Sequence, residues 1–389
     1  MMILKNSASK SRIPGFYNLS MEERLDIIKK LSDLTDNELQ LLKNGGNLGS
    51  ELKDKSSENV IGGFSLPFSI ATNFLVNSKD YLIPMVTEEA SVVAAASNGA
   101  KLARKYGGFT CDPVKNIVIG QIQVIPKKEE AIDQIILSQK DTLLNEINTH
   151  HPTLVSLGGG AKDVNIRKIS TSRGEMVILD VDVDVVDAMG ANIVNTMMEN
   201  LGIILKNELS SKIQAKIISN FPIQRVATCT AIFDRDMLGG EKIVNRILDL
   251  CAFAEADLYR AVTHNKGIMN GITALSLATG NDTRAVEAAA HAYASMRGKY
   301  EPLSKFHLDK ECNLMGKLVL PLSMGVVGGI TNVHPVSKIA LKILDVATAS
   351  ELIQIAGAVG LAQNVSALRA LADEGIQQSH MKLHKRKFI

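Results

Sequence analysis

Between positions 20 and 42 apolar residues recur at helical spacing, as Met21, Leu25, Ile28 and Leu31 and then Leu34, Leu39 and Leu42. Ser20 and Thr35 stand where N-caps belong, so the pattern predicts two short amphipathic helices. A polar, lysine-rich run over 51–58 follows, and then a stretch over 59–72 punctuated by Gly62, Gly63 and Pro67. YLIPMV over 81–86 has the continuous apolar character of a buried strand. Small residues dominate 90–106 (ASVVAAASNGAKLARKY), which suits a helix whose neighbours come close.

The rhythm changes between about 113 and 220. A strand over 116–125, a helix over 128–149, a hairpin, a helix over 191–205 and a strand over 215–218 are predicted. The hairpin joins 163–169 to 175–185 across Ser172-Arg173-Gly174. In VILDVDVDVV the aspartates Asp180, Asp182 and Asp184 alternate with Val181, Val183 and Val185, as in a strand with one wet face. The order β-α-β-β-α-β is the ferredoxin-like pattern. Beyond 221 helices are expected over 239–259, 282–297, 336–344 and 350–372, separated by glycine-rich turns. The expected class is α/β (α+β): a large mixed helical and sheet domain built from 1–112 and 221–378, with a small ferredoxin-like domain inserted at 113–220. A chain of 389 residues is long enough for two such units.

Composition narrows the partners. Lys plus Arg number 43 against 41 Asp plus Glu, a net charge of +2, which gives no field to gather nucleic-acid phosphates. With no Trp and 4% aromatic residues, base-stacking platforms are scarce. The four cysteines, Cys111, Cys229, Cys251 and Cys312, lack zinc spacing and fit reduced cytosolic thiols. Neither a signal peptide nor an apolar run of about 18 residues is present, so a cytoplasmic chain without a membrane span is expected.

Several segments offer chemistry, each with a plainer competing reading. In RAVTHNKGIMN, Lys266 lies in what reads as a tight polar turn, able to present its ammonium to a carbonyl; a surface lysine is the alternative. Asp282, at the entry to a predicted helix, is equally an N-cap. Glu88 and Glu89 precede the small-residue helix, where carboxylates complement the dipole, or where a buried one could deliver a proton. His380, with His384 a helical turn on, competes with a solvated histidine. DAMGAN over 187–192 ends a strand and opens a helix, a place for an anionic cofactor or simply a connection. LGGGAKD over 157–163 is a flexible turn, and MGVVGGIT over 324–331 is a backbone-approach loop or tight packing.

Taken in order, SRIPGF, ENVIGGFSLP, EEASVVAAAS, GGGAKD, DAMGANIVNTM, THNKGIMNGI, ATGNDTRAVEA, VGLAQN and EGIQQSHM run nearly the whole length and resemble the class II 3-hydroxy-3-methylglutaryl-CoA (HMG-CoA) reductases. The resemblance implies an oxidoreductase that interconverts HMG-CoA with mevalonate and coenzyme A, using NAD(H) or NADP(H) and no metal. It implies Glu89 as acid, Lys266 as oxyanion partner, Asp282 as the carboxylate coupling them and His380 as proton donor to the departing thiolate. Ser91, Arg260, Asn270 and Gln363 match the family's substrate pocket. Asp187, Met189, Gly190 and Asn192 match its cofactor loop. His151 stands where NAD-preferring members carry an aspartate for the ribose, so a 2′-phosphate meets no repulsion there. The family pattern also implies a homodimer with its site across the interface, a larger oligomer in some assemblies, and a helical flap beginning at 379–389. Two rivals keep the same scaffold or topology: a reductase of another acyl-CoA, and an RNA-binding module. The second is disfavoured because GQIQVIP and VILDVDVDVV contain no Phe or Tyr.

Overall fold

The computed structural model describes residues 9–46, 48–127 and 130–373. Among them ten strands form two sheets. The strands are β1 (Phe68–Val76), β2 (Lys79–Val86), β3 (Phe109–Cys111), β4 (Ile117–Ile125), β5 (Gly160–Thr171), β6 (Gly174–Asp184), β7 (Lys212–Ser219), β8 (Val226–Phe233), β9 (Ser304–Leu308) and β10 (Leu314–Pro321). One sheet runs β2-β1-β3-β8-β10-β9 and the other β5-β6-β4-β7. Apart from the parallel contact Val76↔Phe109, every pairing between these strands is antiparallel.

The four-stranded sheet has the ferredoxin-like order. In β4 alternate residues are buried, and Gly120 lets the helix Ala191–Glu208 come close, since a Cβ there would lie 2.5 Å from Met198 Sδ. In β6 Val181 and Val183 are fully buried, while Asp180 and Asp182, alternating with them, face side-chain donors. Gln121 and Arg167 bind Asp180, and Gln224 binds Asp182 at 2.6 Å. The wet face is thus an ion-pair and amide ladder. The helix expected over 128–149 is two, Ile132–Ser138 and Lys140–Thr149, because Gln139 (φ −110°, ψ 7°) leaves helical geometry between them.

The six-stranded sheet supports the larger core. The helix Ala349–Ala372 is long and apolar enough to cross a membrane by length and composition, yet it is mostly buried and acts as the central core helix. Gly357 faces Ala227 and Cys229 of β8. On its other flanks pack Val92–Ala103 and Leu258–Ala278. At Gly99 a Cβ would stand 2.0 Å from the Ala362 carbonyl oxygen, and at Gly360 one would stand 2.8 Å from Ile272. The N-terminal helices Met21–Ser32 and Asp36–Lys43 start with complete capping boxes, Ser20 with Glu23 and Thr35 with Glu38, and lie with Pro335–Leu344 over β2.

Several expectations need correction. The run over 51–58, to which the sequence pattern assigns no element, is largely helical, as Ser50–Ser56. The helix expected over 239–259 is interrupted: Gly239 and Gly240 (φ 120° and 89°) turn the chain, Glu241–Ala256 follows, and Asp257 then caps a new helix. That new helix, Leu258–Ala278, runs through Lys266, which is not in a turn at all. Ile268, Met269, Ile272 and Leu275 form its buried stripe and outweigh the helix-weakening Gly267. Strands β8, β9 and β10 lie where mainly helices and turns are predicted. Residues 374–389, including His380 and His384, lie outside the described residues.

Gly99→Ala adds a methyl against a backbone carbonyl that cannot swing aside. We expect a net loss of about 2 kcal/mol, despite alanine's better helix propensity, seen as a lower urea midpoint at unchanged slope. An unchanged or higher midpoint would show that the two helices part without cost.

Candidate active site

Two helices of the larger core and the segment after β2 bring a cation and a carboxylate together. Past Val86 the chain turns through Thr87, whose hydroxyl accepts from the Glu89 backbone N–H at 3.1 Å. Ser91 then takes φ 80°, a left-handed conformation disfavoured for a residue with a Cβ, and starts the helix Val92–Ala103. This turn fixes Glu89 beside Leu258–Ala278, where Lys266 Nζ lies 3.1 Å from Glu89 Oε2. The lysine side chain is 59% exposed and the glutamate 39%, so the pair borders open space rather than a sealed core.

A groove of about 2470 Å³ and a pocket of about 160 Å³ meet at this point. Both include Glu88, Glu89 and Leu277 in their walls. The pocket holds Lys266, Asn270 and Thr273, which share one helical face, and also Glu287. Ser91, Asp282, Met189, Gly190 and Asn192 line the groove. Arg260, six residues before Lys266 on the same helix, lines neither. Gln363 is buried, its Oε1 has no hydrogen-bond partner, and it abuts Gly271.

Asp282 does not contact Lys266 within one chain. Its Oδ1 accepts from the backbone N–H groups of Arg284 and Ala285, and its Oδ2 from Arg284 Nη2 at 3.0 Å. The N-cap reading therefore describes its contacts here. Partial burial pushes its carboxyl upward, but the Arg284 guanidinium and the helix N–H groups outweigh this and hold it below the usual aspartate range.

The 187–190 loop is tightly held. Asp187 Oδ1 accepts from the Ala349 N–H at 2.8 Å, and its carbonyl accepts from Val326 N–H. Arg225, fully buried, donates to the carbonyls of Ala188 and Met189 at 3.1 and 3.2 Å. Burial pulls its guanidinium down to about 10, against the pull of Asp184 and Asp187. Gly325 stands against the loop so closely that a Cβ would lie 2.3 Å from Met189 N, and Asn281 clamps Gly325 through both its N–H and its carbonyl. MGVVGGIT is thus a backbone-approach loop. Gly190, at φ 110°, opens the helix Ala191–Glu208 without a side-chain cap, leaving first-turn N–H groups toward the groove. An anionic cofactor fits this uncapped end. His151 is remote from a carboxylate role: burial and then His150 lower its imidazole, and its buried Nε2 has no partner.

Neither Arg225 nor Asn281 was singled out in the sequence; the charge of Arg225 inside the apolar run FPIQRVAT was the available clue.

An α/β enzyme with a lysine–carboxylate pair and an uncapped helix N-terminus on one groove has the parts of a nucleotide-dependent oxidoreductase. A family model described as hydroxymethylglutaryl-coenzyme A reductase matches residues 20–385. The 3-hydroxy-3-methylglutaryl-coenzyme A reductase of Archaeoglobus fulgidus is 52% identical over 380 residues, 97% of this chain and 87% of that protein. A probable reductase of the same name from Borreliella burgdorferi is 37% identical, over 85% of this chain and 77% of its own. A Streptococcus pneumoniae reductase structure superposes with a TM-score of 0.89 at 39% identity, covering 95% of this chain and 90% of that one. Another from the same organism, described as class II and bound to NADPH in open conformations, gives 0.87 at 38% identity, covering 92% and 99%. The chain belongs to the HMG-CoA reductase family, in its class II, prokaryotic type.

Because the folded pKa of Asp282 is depressed, its charge stabilises the fold above the ordinary aspartate range, and that contribution fades as pH falls through the depressed value. Asp282→Ala should cost about 1 kcal/mol at pH 7 through the lost cap. Asp282→Asn should keep the cap and flatten the acid limb of stability against pH; an unaltered acid limb in thermal melts would contradict this assignment.

Proposed function

We propose that the groove and pocket reduce HMG-CoA to mevalonate by two hydride transfers, with residue roles resting on one observation, the 3.1 Å pairing of Lys266 with Glu89. The activity itself is that of the family, an NAD(P)H-dependent reduction. When bound, the dihydronicotinamide supplies both hydrides, and the loop of Asp187, Met189, Gly190 and Asn192 with the N-terminus of Ala191–Glu208 would hold the dinucleotide. The ammonium of Lys266 faces the thioester oxygen and stabilises the negative charge that develops as the carbonyl is reduced. Glu89 gives its proton to that oxygen at the alcohol stage. Asn270, Ser91 and Gln363 orient the acyl group, and Arg260 reaches the substrate from outside both cavities. His380 protonates the coenzyme A thiolate so that it does not add back; it lies outside the described residues. Asp282 acts on Lys266 through a partner chain rather than its own.

The proposed enzyme is a homodimer that can assemble further, supported by the exposed apolar residues Leu258, Tyr259 and Val262 on the Lys266 helix and Phe253 on the helix before it. Its domains are 113–220 for the cofactor and 1–112 with 221–378 for the substrate, in keeping with separate hydrophobic clusters for the two sheets. His151 brings no negative charge to the ribose site, which favours NADP(H) or use of both cofactors. Cytoplasmic residence fits the unpaired Cys111, Cys229, Cys251 and Cys312, and neither a membrane nor a nucleic acid is a partner in this reading.

Lys266→Ala should lower kcat by about 10²- to 10³-fold in NADPH oxidation with HMG-CoA, with circular dichroism and melting temperature unchanged. A rate near that of the parent protein would remove Lys266 from the chemistry, and turnover of other acyl-CoAs in preference to HMG-CoA would favour the rival reductase.

A further inference from the structure

The pocket beside Lys266 has a further acid in its wall, and that acid begins a hydrogen-bonded chain leading outward. Glu287 shares the pocket with Glu89, Lys266, Asn270 and Thr273. It sits four residues before His291 on the helix Thr283–Ser295, so both project from one face. Each oxygen of Glu287 is engaged: Thr273 Oγ1 donates to Oε1 at 2.7 Å, and His291 Nε2 lies 3.1 Å from Oε2. On the far side of the imidazole, Nδ1 lies 2.7 Å from the Tyr300 hydroxyl, with the two rings stacked at 6.0 Å and 22°.

This order of partners favours one arrangement of the protons. A neutral imidazole has one donor and one acceptor nitrogen. Facing a carboxylate, Nε2 carries the hydrogen, and Nδ1 accepts from the Tyr300 O–H. A second proton on Nδ1 requires only that the tyrosine hydroxyl turn to accept it. The chain can therefore take up a proton without moving a side chain, and His291, 40% exposed, can draw it from water. At its inner end the pocket of about 160 Å³ has room for about five waters at about 30 Å³ each.

Reduction of a thioester to an alcohol by two hydrides consumes two protons, one on sulfur and one on the alcohol oxygen. Glu89, in the role given above, must be reprotonated once per turnover. Resting on that reading of the site, we propose that His291 and Glu287 are the proton supply of the Lys266–Glu89 centre. A proton from solvent first forms an N–H bond at His291 Nδ1, with the Tyr300 hydroxyl turned to accept it; the N–H bond at Nε2 then breaks as an O–H bond forms at Glu287 Oε2, leaving a neutral imidazole protonated at Nδ1. Glu287 then passes its proton through pocket water to Glu89 and is a carboxylate again, and His291 returns to the Nε2–H form by taking a proton from solvent at Nε2 and releasing the one at Nδ1. The charged and titratable groups facing this chain are Glu88 and Glu89 from the segment after β2, Lys266 from the neighbouring helix, and Tyr300 beyond the Gly298 turn. Arg284, a turn earlier on the same helix, is held by Asp282.

The test uses the full chain with HMG-CoA and NADPH, comparing the parent protein with Glu287→Gln and His291→Ala. Expected are a fall in kcat of about tenfold or more with KM within about twofold, a larger solvent isotope effect on kcat, and recovery of His291→Ala, but not Glu287→Gln, by added imidazole. Unchanged kcat and isotope effect in Glu287→Gln would overturn the proposal, as would a loss in His291→Ala that imidazole does not restore. Absence of turnover in the parent protein would instead count against the assigned activity. In that case ¹⁵N spectra of histidine decide the proton supply separately: the neutral Nε2–H tautomer of His291, altered in Glu287→Gln, supports it, and the Nδ1–H tautomer refutes it.

Discussion

The spacing of the Lys266–Glu89 pair depends on how closely two helices can approach a third. Ala349–Ala372 is the common template: Gly99 brings Val92–Ala103 onto the backbone of Ala362, while Gly360 and Gly271 let Leu258–Ala278 settle against it. Glu89 precedes the first of these helices and Lys266 projects from the second. With glycine at the crossings, the contacts are backbone to side chain or nearly backbone to backbone, and little rotamer freedom remains to absorb a change. A short salt bridge between two partly exposed side chains would contribute little to stability by itself. Its geometry is imposed by the core beneath it, which is the condition for using it in catalysis rather than for folding.

A second constraint governs the opposite wall. The 187–190 loop leaves β6, touches the 325–327 segment and starts a helix within a few residues, so its carbonyls turn inward. Arg225 takes two of them. A buried guanidinium satisfied by neutral carbonyls is an expensive choice, as its lowered pKa and partnerless Nε attest. A planar fork can hold two adjacent carbonyls at once, which a lysine cannot do in the same way. Pocket and loop thus rest on different physics, close apolar packing on one side and a buried polar clamp on the other.

Local features were the most legible in the sequence. Ser20 and Thr35 cap the helices they were expected to cap, because a cap needs only residues three positions away. The alternating aspartates of β6 gave the small sheet its hairpin, and the strand order followed. Around Lys266, Thr263, His264, Asn265 and Gly267 dilute the helical pattern and imitate a turn; burial of Asn265 and His264 against Glu301 and Ser304 compensates for that polarity, and nothing nearby in sequence announces it. Strands β8 to β10 escaped notice for a related reason, since Ala227, Cys229, Ala231 and Gly316 are small and pack against distant helices. Among the candidate site residues, the juxtaposition of Lys266 with Glu89 joins positions 177 apart, and only the ordered series of family-like segments pointed to it. Arg225 belongs to no such segment, and Glu287, though inside ATGNDTRAVEA, carries no signal of its own there; their importance arises from partners that only folding supplies.

The Ala349 N–H donates to the Asp187 carboxylate at 2.8 Å, and this bond has a mechanical side. It links the mouth of the four-stranded unit to the first residue of the template helix. A displacement of that unit at the loop would have to break this link or carry the helix end with it. The same rod seats Glu89 and Lys266 further along, so the nucleotide side and the acid–ammonium side share one structural member.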